Sequence, residues 1–164
     1  LNGTTNYILT RMAEGESYES ALREAQENGY AEANPTADVD GYDAAIKIVI
    51  LANMLLGVPL KLANVEREGI RGLTTKDIVR AQKVGEVWKL VGWVERTPEM
   101  VKASVKPIRL PQTHPLASVS GATNAVTFVT KLLGEVSIIG PGAGRVETGY
   151  GVLSDLLEIH QRTA

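Results

Sequence analysis

Cysteine is absent from this chain of 164 residues, which excludes disulfides, thiolate metal sites and a cysteine nucleophile. The sequence also lacks a long hydrophobic run. The longest, residues 48–56, contains Asn53 and is far too short to cross a bilayer. An excess of basic charge is missing as well, since the net charge is −2. The short apolar run argues against a membrane span, and the charge argues against a nucleic-acid partner.

The composition that remains is typical of a globular domain with a real core. Hydrophobic residues make up 44% of the chain and charged residues 22%, and the length fits one domain. No signal peptide is visible at the start. The chain begins with Leu1 rather than Met, so we interpret it as a piece excised or truncated from a longer protein.

Helix patterns dominate before Pro59 and strand patterns after it. Helices are predicted over residues 6–14, 18–28 and 43–56, and the last is apolar enough that we expect it to be covered on most sides. Alternation and β-branched residues predict strands over residues 64–70, 86–95, 101–110, 123–131 and 135–139. Two further helices are predicted, over residues 75–83 and from Gly149 to about residue 162.

This order of elements predicts an α+β fold with a mixed β-sheet and helices packed on one face. Strands and helices do not alternate regularly, which argues against a doubly wound parallel sheet. Pro107 is expected at a sheet edge or bulge, because proline cannot donate to a strand ladder. Trp88 and Trp93 are five residues apart in one strand and are expected on opposite faces.

The densest group of ionisable residues lies where the chain turns from loop into the third helix. Glu32, Asp38 and Asp40 precede this helix, while Asp43 and Lys47 are four residues apart at its start and share one face. Such a pair is either an ordinary solvated helix pair or a proton-transfer group beside fixed carboxylates. The acidic residues before it are either a solvated loop or a site for an ammonium-bearing substrate.

Two other readings of these segments have little support. A calcium loop would need a distal glutamate, and the residue seven after Asp40 is Lys47. Residues 140–144 are glycine-rich and lie between a strand and a helix, so they form a tight turn or approach a phosphate, but they match no dinucleotide fingerprint or P-loop. His114 and His160 are expected to have structural or solvent-exposed roles.

Taken together and in order, these segments resemble the homoserine dehydrogenase family. The resemblance rests on residues 2–8, 29–35, 38–47, 114–117 and 140–144, and it extends over essentially the whole chain. It implies reduction of L-aspartate 4-semialdehyde to L-homoserine with NADH or NADPH, in the pathway to threonine, methionine and isoleucine. It further implies that residues 1–164 are one catalytic, substrate-binding and dimerisation domain. The family's amino-terminal Rossmann domain is absent from this sequence.

The resemblance also implies roles for individual residues. Lys47 matches the acid/base on the substrate oxygen, and Asp43 matches the aspartate that holds the substrate hydroxyl and that lysine. Glu32 matches the carboxylate that receives the substrate amino group, and Asp38 matches a nearby acidic position.

Four further positions match the family's pocket and cofactor contacts. Tyr30 and Thr4 correspond to residues that line the substrate pocket, while Gly144 and Thr148 correspond to contacts near the nicotinamide. Most of the NAD or NADP site would lie in the missing domain, toward which the last helix is expected to pack. The isolated piece is therefore expected to be inactive, and no metal ligands are implied.

The resemblance predicts a cytoplasmic homodimer whose partner molecule is a small substrate, without nucleic acid or membrane. One alternative of a different class stays open. The chain could be a non-catalytic module that self-associates or binds a small molecule, because open sheets often pair across a two-fold axis.

Overall fold

The computed structural model describes residues 1–98, 100–142 and 145–163, without the side chain of Arg145. In chain order its elements are α1 (Gly3–Ala13), α2 (Tyr18–Glu27), α3 (Thr36–Val39), α4 (Tyr42–Leu55), β1 (Glu66–Arg67), α5 (Thr75–Lys83), β2 (Glu86–Arg96), β3 (Val101–Pro111), β4 (Thr123–Thr130), β5 (Gly134–Pro141) and α6 (Arg145–Thr163). A 3-10 turn, Leu62–Asn64, precedes β1. No helix in these ranges is long and apolar enough to cross a membrane.

The strands form two sheets rather than one. In the first, β3 lies between β1 and β2, parallel to β1 and antiparallel to β2 along its whole length. In the second, β4 and β5 pair as an antiparallel hairpin. The first sheet mixes both strand directions, and side chains of α1, α4 and α5 pack against it. The predicted α+β class with a mixed sheet is therefore confirmed.

The expectations for proline and tryptophan in this sheet are confirmed. Pro107 pairs with Leu90 of β2 but lies beyond the two residues of β3 that pair with β1. Proline's missing N–H is tolerated there because β3 has only one neighbour at that point. Trp88 packs into the core and its Nε1 donates to the Asp77 carbonyl at 3.2 Å, whereas Trp93 is 46% exposed.

The predicted strand over residues 64–70 is wrong outside β1. After β1 the chain turns to α3, where the Ile70 N–H donates to the Val39 carbonyl at 2.8 Å. Gly69 lies so close that an added Cβ would be 2.2 Å from that carbonyl oxygen. Packing against α3 therefore overrides the strand pattern here, and it fixes α3 to the body of the domain.

Two clusters of buried side chains form the core. The first lies among α1, α2 and α5 and includes Ile8, Leu9, Met12, Ala21, Ala25, Val39, Ile70 and Ile78. The second lies between α4 and the sheet and includes Ala44, Ala45, Ile48, Ala52, Val58, Leu60, Ala103 and Val105. At Gly92 of β2, an added Cβ would lie 2.6 Å from Ile48 Cγ2, so the missing side chain lets α4 approach the sheet closely.

Only one face of α4 is covered, so the expectation that this apolar helix is covered on most sides is wrong for the described residues. Small residues face the sheet, while four large ones on the outer side are about half exposed or more: Ile46, Ile50, Met54 and Leu55. The helix begins after Gly41, whose φ of +77° is a conformation that glycine adopts without strain. The outer side is left as an apolar surface.

The β4–β5 hairpin and α6 also expose apolar surface. Val126, Phe128, Val136 and Ile138 form two cross-strand pairs on one face of the hairpin, and Ile138 is 65% exposed. On α6 the exposed apolar residues are Val146, Tyr150, Val152, Leu153, Leu156, Leu157 and Ile159. Exposed apolar areas of this kind mark interaction sites.

A partly buried lysine joins β2, α1 and the loop before β4. Lys89 Nζ donates to Asn6 Oδ1 at 2.8 Å and also to the Val119 carbonyl. The Asn6 amide in turn donates to the Gly121 carbonyl at 2.9 Å and the Thr123 carbonyl at 3.2 Å. Burial lowers the pKa of Lys89 to about 8 from its ordinary 10.5. This network fixes the hairpin to the first helix.

We expect Lys89 to make stability increase with pH. Between about pH 8 and 10.5 the unfolded chain keeps this proton while the folded chain loses it, so the free energy of unfolding increases over that window. Urea unfolding at a series of pH values from 7 to 10.5 should show this increase in the wild type and not in Lys89→Met. Parallel curves for the two proteins would contradict the prediction.

Candidate active site

An ion pair at the start of α4 lies at the centre of the candidate site. Lys47 Nζ is 2.8 Å from Asp43 Oδ2, and it also donates to the Leu1 carbonyl at 3.2 Å. The side chains are 42% and 32% exposed, so a small molecule can reach both. Asp43 lies in the first turn of α4, where the helix dipole favours a carboxylate. The contact predicted from the four-residue spacing is confirmed.

Asn2 connects this pair to a second carboxylate. It precedes α1 and is only 7% exposed. Its Nδ2 donates to Asp38 Oδ1 at 2.7 Å and to Asp43 Oδ2 at 2.8 Å, while its Oδ1 accepts from the Thr5 N–H at 2.8 Å. The starts of α1, α3 and α4 therefore meet around one buried amide.

Asp38 and Asp40 point to different partners although both belong to the predicted acidic group. Asp38 contacts Asn2 in the candidate site, whereas Asp40 Oδ1 accepts from Arg71 Nε at 2.6 Å. The Asp40 carbonyl accepts from Arg67 at 2.5 Å. Asp40 therefore holds the segment after α3 against β1 and the residues that follow it. Among the described residues, no group of three metal-ligating side chains occurs.

Thr4 and Tyr30 are joined by a direct hydrogen bond. Thr4 Oγ1 donates to the Tyr30 carbonyl at 2.5 Å, which holds the loop after α2 against the first turn of α1. The Tyr30 ring packs against that of Tyr7 with centroids 5.0 Å apart, and its side chain is 43% exposed. This arrangement gives Tyr30 an accessible ring on a fixed backbone, as a pocket wall requires.

Glu32 lies in the same loop with its side chain in solvent. Its backbone carbonyl accepts from Gln26 Nε2 at 3.0 Å, which fixes the backbone but not the carboxylate. Over residues 1–98, 100–142 and 145–163 that carboxylate makes no hydrogen bond and no ion pair. It is available to a cationic ligand.

Of the two predicted cofactor contacts, only Thr148 lies within the described residues. Gly144 lies outside the described residues. Thr148 is exposed in the first turn of α6, and the structure records no side-chain contact between it and the pair on α4. Next to the end of β5, Asn124 Oδ1 is buried without a hydrogen-bond partner in the described part of the chain, and Gly142 packs directly on the Asn124 amide.

Chemically, the cluster offers a cation and two fixed carboxylates, and the loop that Thr4 holds against α1 carries an exposed carboxylate, Glu32. An ammonium held by a carboxylate can donate a proton to an oxygen that becomes negative. Carboxylates with unused oxygens can accept from a hydroxyl or an amine. The arrangement therefore fits a small substrate that carries both an amino group and a reacting oxygen.

Comparison with known proteins identifies the family. The family model described as homoserine dehydrogenase matches residues 1–157. The chain belongs to the homoserine dehydrogenase family.

Individual relatives agree over nearly the whole chain. It is 49% identical over 162 residues to an NAD(+)-dependent homoserine dehydrogenase of Pseudomonas canavaninivorans, covering 98% of this chain and 46% of that protein. A crystal structure of S. aureus homoserine dehydrogenase superposes with a TM-score of 0.92 at 41% identity, covering 99% of this chain and 42% of that one. A hyperthermophilic archaeal homoserine dehydrogenase in complex with NADPH superposes with a TM-score of 0.78 at 35% identity, covering 99% and 46%.

The chain spans less than half the length of these homoserine dehydrogenases. Within its own length, sequence reasoning missed Asn2 and Lys89 as connecting residues. Asparagine before a helix is a capping signal that could have drawn attention to residue 2. Nothing in the local sequence indicates that its amide reaches residues 36 and 41 positions away.

Proposed function

We propose that this chain is the substrate-binding and dimerisation part of an NAD(P)-dependent dehydrogenase that interconverts L-aspartate 4-semialdehyde and L-homoserine. The observation that supports this most directly is the Lys47–Asp43 pair, reachable from solvent and tied to Asp38. Family membership gives the reaction its substrate class. The product would enter threonine, methionine and isoleucine biosynthesis in the cytoplasm.

In this proposal Lys47 is the acid/base. As an ammonium it donates a proton to the alkoxide that develops when the aldehyde carbon is reduced, and it takes that proton back in the reverse direction. Asp43 orients the ammonium through the 2.8 Å contact and accepts from the substrate hydroxyl. Both groups touch the reacting oxygen and are therefore the catalytic residues.

The remaining residues bind the substrate. Glu32, with its unengaged carboxylate, pairs with the substrate ammonium, since carboxylates form strong charge-assisted hydrogen bonds with amines. Asp38 adds negative charge on the same side, while Thr4 and Tyr30 line the pocket through the contact that joins them. These side chains come from α1, α3 and the loop after α2, and together with the Lys47–Asp43 pair of α4 they would form the pocket.

In this proposal the glycine-rich segment, residues 140–144, contacts one end of a nicotinamide cofactor. Asn124 Oδ1 is a buried acceptor that the described residues leave without a donor, and a carboxamide N–H is a donor of the right kind. Gly144 and Thr148 would complete this end, with most of the NAD or NADP held by a nucleotide-binding domain. When bound, the cofactor supplies the hydride. The relatives' names include both NAD(+) and NADPH, so they leave the preference between NAD and NADP open.

The exposed apolar face of α6 supports a place for that second domain. A helix with seven exposed apolar side chains is unfavourable in water unless a partner covers it. We propose that α6 packs toward the nucleotide-binding domain, and that the isolated chain has no turnover. A non-catalytic module that self-associates or binds a small molecule is the alternative, and the Lys47 test below distinguishes the two.

Replacing Lys47 tests the catalytic proposal. In the complete enzyme, Lys47→Ala should lower kcat for semialdehyde reduction by about 10²–10⁴-fold, the usual contribution of a general acid. Lys83→Ala, which removes an exposed lysine at the end of α5, is the matched control and should leave kcat unchanged. Steady-state rates with NADH and NADPH provide the measurement. A wild type without activity would favour the non-catalytic module.

Replacing Glu32 tests the amino-group contact. Glu32→Gln keeps the shape but removes the charge, so KM for the semialdehyde should increase by about tenfold or more while kcat changes little. Glu27→Gln, an exposed glutamate at the end of α2, should leave KM unaltered. An unaltered KM in Glu32→Gln would show that the ammonium lies elsewhere.

The apolar hairpin face is the surface we assign to the homodimer. A two-stranded hairpin is marginal alone, and Val126, Phe128, Val136 and Ile138 would be covered by a second copy across a two-fold axis. Light scattering of Ile138→Lys should then report a monomer. Ser137→Lys alters the opposite face, where Ser137 meets Thr127 at 2.8 Å, and should remain dimeric. A dimeric Ile138→Lys would place the interface elsewhere.

A further inference from the structure

The hydrogen bonds of Asn2 fix which way its amide points. Oδ1 accepts from both the Thr5 N–H at 2.8 Å and the Thr5 hydroxyl at 2.9 Å, so the oxygen must face α1. The NH₂ group then faces the two carboxylates and uses both hydrogens on them. The reverse orientation would place an acceptor against two anions and a donor against an N–H, which is unfavourable.

This amide determines which carboxylate oxygens remain available. Asp43 Oδ2 already receives both Asn2 Nδ2 and Lys47 Nζ at 2.8 Å. Asp38 Oδ1 receives the second amide hydrogen at 2.7 Å. In the described part of the chain, the other oxygen of each carboxylate, Asp43 Oδ1 and Asp38 Oδ2, has no hydrogen-bond donor.

We propose that Asn2 is a positioning residue of this active site. It holds Asp38 and Asp43 on one amide group and turns one oxygen of each toward the substrate. Through Asp43 it also fixes the Lys47 ammonium, because both donors share the same carboxylate oxygen. Asn2 does not touch the reacting atoms and acts through the residues that do. This inference rests on the function proposed above.

Charge explains why the residue is a neutral amide with two donors. Asp38 and Asp43 lie within about two hydrogen-bond lengths of each other across one nitrogen, and like charges at that distance repel. The amide compensates each with a hydrogen bond to the charged form and adds no charge of its own. A capping residue alone needs only an acceptor, as Ser17 shows at the start of α2. The two donors of Asn2 are therefore beyond what capping requires.

Two substitutions separate positioning from capping. Asn2→Ser and Asn2→Asp each keep an acceptor that can cap α1, since both are good capping residues, but each lacks the NH₂ group. In the complete enzyme we expect kcat to decrease by about 10²-fold, because small misplacements of reacting groups cost that much. The decrease should be greater for Asp, which adds a third carboxylate. The KM for the nicotinamide cofactor should not change in either variant.

The matched control is Ser17→Asp, which exchanges the capping residue of α2 away from the site. It should keep full kcat, and Asn2→Ser, which keeps an acceptor for the cap, should remain folded at the assay temperature. A double-mutant cycle with Asp43→Asn measures whether the losses in kcat are coupled, which a purely structural role of Asn2 would not produce. If Asn2 acts through Asp43, replacing Asn2 should cost much less in the Asp43→Asn background.

Each outcome separates the two proposals. An active wild type with full kcat in Asn2→Ser would overturn the role of Asn2 and leave the dehydrogenase function standing, as would fully additive losses in the cycle. An inactive wild type would overturn the function itself. If Asn2→Asp does not fold, the kcat of Asn2→Ser and a crystal structure of Asn2→Ser test the role of Asn2 instead. An Asp43 carboxylate that keeps its present rotamer without Asn2 would contradict the inference.

Discussion

The arrangement of the site depends on three helix starts that meet around one buried amide. The first turns of α3 and α4 each carry an aspartate, and the amide before α1 donates to both. Helix N-termini attract anions through their unpaired N–H groups and dipole, so the two carboxylates are placed where they are stabilised. The lysine one turn further along α4 completes the group. Ionisable residues from distant parts of the chain are thus held without a metal ligand set among the described residues.

Contacts with the body of the domain hold the starts of α3 and α4 in place. Small residues on α4 and the missing side chain at Gly92 allow the helix to lie close against the sheet. The close approach of Gly69 to α3, with the Ile70 hydrogen bond, fixes the short helix that carries Asp38. A change in either contact would shift a helix start, and the carboxylates would move with it.

Three exposed apolar surfaces lie on the same domain as the site. The outer side of α4, one face of the hairpin and much of α6 expose large apolar residues. The chain spans less than half the length of the relatives it matches. The hydrogen-bond network of the partly buried Lys89 fixes the hairpin to α1, so any partner that covers the hairpin is placed at a defined position relative to the site.

Local sequence patterns were sufficient to predict much of this structure. The spacing of Asp43 and Lys47 predicted their contact, and alternation placed Trp88 and Trp93 on opposite faces, because helix and strand periods are set by the backbone. The α+β class and the family also followed from the sequence. Only the tertiary structure decided that Asp38 faces the site while Asp40 faces Arg71, that residues 69–70 leave the sheet, and that Asn2 bridges two carboxylates. Those outcomes depend on contacts between residues some 30 to 40 positions apart, and no local period encodes them.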